Sequence, residues 1–154
     1  MCRARSFITC FLCLLAEESL VFKKILVPVD GSPFMQPLVD YALDFAKKAG
    51  SELTFLYVLD MPTTALEEDV LRHKQASVRI PQECRAKAQR LGVNAESRIE
   101  VGRPGETIVN IAESEKFDLI MIGSRGHSHL RHLLMGSVAD QVVTHAHCPV
   151  LVKH

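Results

Sequence analysis

The chain has no tryptophan, and only 6% of its 154 residues are aromatic. It has no surplus of charge either: 18 lysines and arginines face 18 aspartates and glutamates. A nucleic-acid or membrane-surface protein needs a cationic excess gathered on one face, so this balance argues against both kinds of partner. Long apolar runs are also missing. A membrane-spanning helix takes about 20 consecutive apolar residues, whereas the stretch from Phe7 to Ala16 has ten. The five cysteines are odd in number and three fall within the first thirteen residues, leaving only Cys84 and Cys148 for the remainder. That is too few for a disulfide framework, and a reduced, cytoplasmic protein is expected. What is present suits one ordinary domain. Apolar residues make up 47% and charged residues 23%, enough for a single core.

The first twenty residues do not match the rest. Arg3 and Arg5 followed by an apolar run imitate the start of a secretory signal, but Leu14 stands where a cleavage site needs a small residue. Cys10 and Cys13 have the spacing of a metal-ligand pair, yet no second pair follows. Residues 1–21 are therefore read as an extension, and residues 22–154 as the domain.

From Phe22 onward, strand and helix patterns alternate. Lys24 to Val29 is a short apolar run closed by the turn cluster Asp30-Gly31-Ser32-Pro33, the mark of a buried strand. Ser32 is placed to cap the helix that follows, with Pro33 in its first turn. Leu38, Ala42, Phe45, Ala46 and Ala49 recur at helical spacing, and Gly50 stops the helix. Leu53–Leu59 reads as a strand, and Leu66–Leu91 as helical in composition, broken or kinked at Pro81 and ended by Gly92. Val93–Val101 is a more polar strand, expected near an edge. A helix carrying Ile108, Ile111 and Ala112 follows, then the apolar strand Phe117–Ile122, interrupted only by Asp118. Ser137–Ala146 is the last helix, and Val150–Val152 the last strand. Five strands alternating with four helices predict a doubly wound, five-stranded parallel sheet of the Rossmann-like kind.

Such sheets bind ligands beyond the carboxyl ends of their strands, where the strand order reverses. Two segments qualify. One is Pro28-Val29-Asp30-Gly31-Ser32 after the first strand. The other runs from Gly123-Ser124-Arg125-Gly126 to Gly136-Ser137 after the fourth. Gly126 allows a positive φ or a close approach to a ligand. Gly136 and Ser137 stand at a helix start, where free N–H groups and the helix dipole favour phosphate oxygens.

The spacing Gly123-x2-Gly126-x9-Gly136-Ser137 resembles the ATP-binding motif of the universal stress protein family. Ile25-Leu-Val-Pro-Val-Asp30-Gly-Ser32 resembles that family's first strand and turn, and Cys148-Pro-Val-Leu-Val152 its closing strand. The resemblance implies the fold of the adenine nucleotide alpha hydrolases. It implies that Asp30 accepts hydrogen bonds from ribose hydroxyls, and that Pro28, Val29 and Val58 line the adenine pocket. Ile122 and Gly123 pass beneath the ribose. Gly126, Gly136, Ser137 and Val138 present N–H groups to the phosphates, and Arg125 adds charge. It further implies ATP, AMP or another adenine nucleotide as ligand, with Mg²⁺ or Mn²⁺ on the phosphates. A homodimer joined through the last strand is also implied.

Other chemistry finds less support. His127, His129 and His132 crowd one loop without a cysteine or acid to complete a metal site, so no protein metal site is expected. His145 and His147 lie at a helix end, where histidine suits the dipole. Cys84 and Cys148 lack an activating partner. There is no Walker A run, and Val29-Asp-Gly-Ser32 replaces the Ser-Gly-Gly-x-Asp-Ser loop of ATP pyrophosphatases. A flavodoxin would need a Ser/Thr-rich loop after the first strand, and a response regulator an acidic pair there. No catalytic residue is assigned. The leading reading is a nucleotide-binding regulatory module with slow or absent turnover. Its competitors are an ATP-hydrolysing or phosphate-transferring enzyme, and a structural member that binds no nucleotide.

The division at residue 22 has a direct test. A chain shortened to begin at Val21 should match the full chain in denaturant-unfolding free energy. A loss of several kcal/mol would make the extension part of the core.

Overall fold

The computed structural model describes residues 22–62, 64–126 and 135–154. The expectations for residues 1–21, including the Cys10–Cys13 pair, and for His127, His129 and His132 lie outside the described residues. The elements run β1 (Lys24–Pro28), α1 (Met35–Ala49), β2 (Glu52–Leu59), α2 (Glu67–Ser77), α3 (Arg79–Arg90), β3 (Ala95–Val101), α4 (Pro104–Ser114), β4 (Leu119–Gly123), α5 (Ser137–His145) and β5 (Val150–Lys153). The five strands form one all-parallel sheet in the order β3-β2-β1-β4-β5. Strand order therefore reverses at β1, between β2 and β4. The polar strand β3 is at one edge, as expected, and β5 is at the other.

Alternation along β1 feeds two cores. Ile25, Val27 and Val29 face one side with Leu38, Val39 and Leu43 of α1 and Cys84 and Ala88 of α3. Leu26 faces the other with Ile108, Val109 and Ala112 of α4 and Ala139 and Val142 of α5. Both faces are covered, as a parallel sheet requires. Phe22 joins the first core and stacks at a tilt on Phe45, with ring centroids 6.3 Å apart. Gly50 ends α1 in the left-handed region at φ 69°, and its N–H donates to the Ala46 carbonyl.

Three local expectations need correction. The segment at Pro81 is broken rather than kinked, so residues 67–90 form two helices and the described residues hold five against the four expected. Pro81 has no N–H to offer the Ser77 carbonyl four residues back, so the helix ends at Ser77 and a new one starts at Arg79. Ser32 does not cap α1. The helix begins at Met35 with Phe34 at its cap position and no side-chain cap. Instead the Ser32 carbonyl accepts the Met35 N–H at 3.2 Å, and its own N–H donates to Asp30 Oδ1 at 3.0 Å. This Asx turn reverses the chain before the helix starts. It leaves Ser32 Oγ buried with no hydrogen-bond partner among the described residues.

The fourth strand begins at Leu119, two residues later than expected. Asp118 explains both the delay and its own place in an apolar run. Its Oδ2 accepts the N–H groups of Lys23 and Lys24 at 2.9 and 2.8 Å, fastening the start of β1 to the approach of β4.

Phe55 is fully buried on the α1 and α3 side of β2. Phe55→Ala should lower the unfolding free energy by about 3–5 kcal/mol, measured by denaturant unfolding. A loss below about 1 kcal/mol, the scale of an exposed substitution, would contradict this packing.

Candidate functional site

A cleft of about 490 Å³ opens beyond the carboxyl ends of the strands, across the reversal between β1 and β4. All eleven predicted residues line it: Pro28, Val29, Asp30, Val58, Ile122, Gly123, Arg125, Gly126, Gly136, Ser137 and Val138. A second depression, of about 340 Å³ against Lys74, Pro81 and Arg98, shares none of them.

Asp30 follows β1 with only Val29 between them. The Val29 N–H still pairs with the Leu56 carbonyl at 2.9 Å, so the chain leaves the sheet at Asp30 itself. Gly31 then turns it in the left-handed region at φ 79°, a conformation that side chains with a Cβ resist. Space points the same way, because a Cβ on Gly31 would lie 2.8 Å from Ile80 Cδ1 of α3. The turn is thus pressed from one side by α3 and held internally by the bond from Ser32 N–H to Asp30 Oδ1.

The opposite wall is the start of α5. Gly136 is its cap residue, with extended backbone at φ −75° and ψ 158°. Its N–H donates to the Ser124 carbonyl at 2.8 Å, and the Ser124 N–H donates to the Lys153 carbonyl at 2.8 Å. This corrects one expected role. The Gly136 N–H is engaged, so the donors without an intrahelical acceptor at this helix start belong to Ser137, Val138 and Ala139. What Gly136 contributes is the absence of a side chain. Gly126 is likewise not at a positive φ. Its constraint is closeness, since a Cβ there would lie 2.8 Å from Asp30 Oδ2.

Walls between these ends are apolar: Leu56, Val58, Ile108, Ile122 and Val138 on one side, Met35 and Leu38 on the other. Asp30, Asp60 and Arg125 are the charged lining residues among those described. Sequence reasoning missed Met35, Leu38, Leu56, Tyr57, Leu59, Asp60, Pro104, Ile108, Ser124 and Ala139. Most of these are read by periodicity as plain core. Asp60 carried a usable signal, an acid immediately past a strand end like Asp30.

The described residues contain no group of three His, Cys, Asp or Glu side chains that could hold a metal ion. Burial pushes the Cys84 thiol up to about 11, with the Glu83 charge adding to it, and burial raises Cys148 as well. Neither is a thiolate near neutral pH. His145 Nδ1 donates to the Gln141 carbonyl at 2.9 Å in the last turn of α5. His147 Nδ1 stands 3.5 Å from a Glu113 carboxylate oxygen. No helix among the described residues is long and apolar enough to cross a membrane.

The sequence model of the universal stress protein family matches residues 22–154. The chain belongs to that family. Among its relatives, universal stress protein MJ0531 of Methanocaldococcus jannaschii is 33% identical over 141 residues, covering 86% of this chain and 82% of that one. Universal stress protein UspA of Lactobacillus plantarum superposes with a TM-score of 0.75 at 28% identity, covering 86% of this chain and 98% of its own. A universal stress protein solved in complex with cAMP gives a TM-score of 0.72 at 26% identity, covering 87% and 98%. The Rossmann-like parallel sheet expected from the sequence is thus shared with universal stress proteins of known structure.

Proposed function

We propose that this universal stress protein is an adenine-nucleotide-binding regulatory module of the cytoplasm, which holds ATP and hydrolyses it slowly or not at all. The observation that carries the reading is one cleft lined both by the Asp30 carboxylate and by the start of α5, whose cap residue is Gly136. Anions favour such a helix start, and a carboxylate suits ribose hydroxyls. The apolar walls from Val29, Val58 and Ile122 suit a flat base. The relative solved with cAMP supports an adenine nucleotide as the class of ligand. That relative also keeps AMP or a cyclic monophosphate in contention with ATP. Mass spectrometry of the nucleotide that copurifies would identify the occupant.

In this reading the phosphates lie against the N–H groups of Ser137 and Val138, passing over Gly136, with the Arg125 guanidinium nearby. Mg²⁺ or Mn²⁺ accompanies a triphosphate and is held by the phosphates and water. Binding outruns hydrolysis because the sequence has neither a Walker A run nor a pyrophosphatase loop. A hydrolytic or phosphate-transferring activity on the same fold is the competing reading, and turnover above about 1 per second would favour it.

Pairing of two copies through β5 completes the proposal. Val150, Leu151 and Val152 are only half-buried on an edge strand, and an apolar open edge invites a partner strand. Light scattering at micromolar concentration should return twice the chain mass of 17.2 kDa. A clean monomer would exclude the dimer.

Two substitutions test the nucleotide site by calorimetric titration with ATP and Mg²⁺. Asp30→Ala should remove charge-assisted bonds worth about 1.5–3 kcal/mol, a ten- to hundredfold loss of affinity. Gly136→Val should obstruct the phosphates and spare the fold, because among the described residues a Cβ there meets only the Ser124 carbonyl oxygen, at 3.5 Å. Unchanged affinity in both variants, or no binding by the nucleotide-free wild type, would leave the structural reading in its place.

A further inference from the structure

We infer that Gly126 is a positioning residue for Asp30: it is glycine so that the Asp30 carboxylate can keep the orientation in which it meets the ribose. The inference rests on the nucleotide reading above and assigns Gly126 a role other than donating to phosphate. A Cβ built on Gly126 lies 2.8 Å from Asp30 Oδ2, inside van der Waals contact, and its next neighbour is Asp30 Cγ at 3.9 Å. Among the described residues no backbone atom stands as close, so the crowding there falls on the carboxylate. By contrast, the same atom on Gly123 meets the Arg125 carbonyl at 3.3 Å, and on Gly136 the Ser124 carbonyl at 3.5 Å. Of the three glycines in the motif, only Gly126 is crowded by a side chain proposed to touch ligand.

Asp30 cannot yield by moving its backbone. Val29 is bonded into the sheet on one side of it. On the other, Gly31 holds a left-handed turn at φ 79°, and Ser32 is 3% exposed. The carboxylate yields by rotating, since it is the end of a short side chain. Rotation breaks the bond from Ser32 N–H to Oδ1 and turns both oxygens away from their orientation in the cleft. A methyl group on Gly126 should therefore act as a partial removal of Asp30 while the fold persists.

The test uses the full chain with Mg²⁺ and two probes, ATP and 2′,3′-dideoxy-ATP, which differ only in the ribose hydroxyls. Wild type should bind ATP about ten- to hundredfold more tightly than the dideoxy form, the range of a charge-assisted hydrogen bond. Gly126→Ala should lose most of that preference, weakening ATP binding and changing dideoxy-ATP affinity by no more than about twofold, within the ordinary error of additivity. In an Asp30→Ala background, Gly126→Ala should then change neither affinity. Equal weakening for both probes, persisting without Asp30, would overturn the inference and return Gly126 to the phosphates. Equal wild-type affinity for the two probes would instead strike the ribose role of Asp30 itself.

A nucleotide-free measurement guards against loss of fold. Gly126→Ala should lower the melting temperature in the wild-type background and leave it unchanged when Asp30 is alanine. A similar drop in both backgrounds would place the crowding elsewhere and overturn the proposal.

Discussion

Everything in this molecule depends on the register of β1. The strand is buried on both faces and paired on both edges, with β2 and β4. Ile25, Val27 and Val29 belong to one core and Leu26 to the other, so a slip of one residue would exchange the contents of the two cores. The same slip would carry Asp30 to the wrong face of the turn. Register is secured at the foot of the strand by Asp118, whose carboxylate takes two successive backbone N–H groups, and along it by pairing with β2 from Lys24 to Pro28. A residue at the bottom of the sheet thus helps fix the carboxylate at the top.

The cleft follows from the reversal of strand order at β1. The connection leaving β1 runs to β2 on one side and the connection leaving β4 runs to β5 on the other, so the two diverge at that point and leave a crevice between them. What remains open there is the turn after β1, the turn after β4 and the start of α5. Hydrogen bonds join the last two to the sheet edge: Gly136 N–H to the Ser124 carbonyl, and Ser124 N–H to the Lys153 carbonyl of β5. The helix start that the proposed function assigns to phosphate is therefore anchored through two backbone bonds to the strand proposed to pair with a second copy. The opposite edge is built differently. Edge strand β3 carries Glu96, Arg98 and Glu100, and Arg98 is engaged by both Glu100 and Glu115. Charge on an edge strand discourages pairing, whereas β5 offers three successive apolar residues.

Much of this was legible in the sequence because it depends on period and punctuation. Apolar runs gave four of the five strands, Gly50 gave a helix stop, and the polar composition of β3 gave its edge position. The eleven site residues converge on one cleft because they stand at strand ends and a helix start, places the alternating pattern already defines. What escaped was decided by partners rather than by pattern. Pro81 showed that a helix would fail, but the break appears at Val78, because the carbonyl deprived of its N–H lies four residues earlier. Ser32 had the composition of a cap and lost that place when Asp30 took its N–H. Leu56, Ile108 and Ala139 line the cleft while looking like core, since a cleft floor and a core wall share one periodicity.

The glycines of the motif show why spacing alone cannot assign roles. Three residues of one type recur at fixed separation, yet their constraints differ in kind. Gly123 ends β4 in the register of Lys153, with a carbonyl 3.3 Å from where a Cβ would stand. Gly136 has room for a Cβ among the described residues, so their packing does not account for a glycine there. Gly126 has no room, and the atom that excludes a side chain is a carboxylate oxygen of the site itself. A position the fold would permit to be filled is the more specific sign of a ligand, because packing does not account for it. By that criterion the case for phosphate rests more on Gly136 than on the other two. Gly126 belongs to the geometry of Asp30, and its presence in the motif reflects the distance between two turns that the reversal of strand order brings face to face.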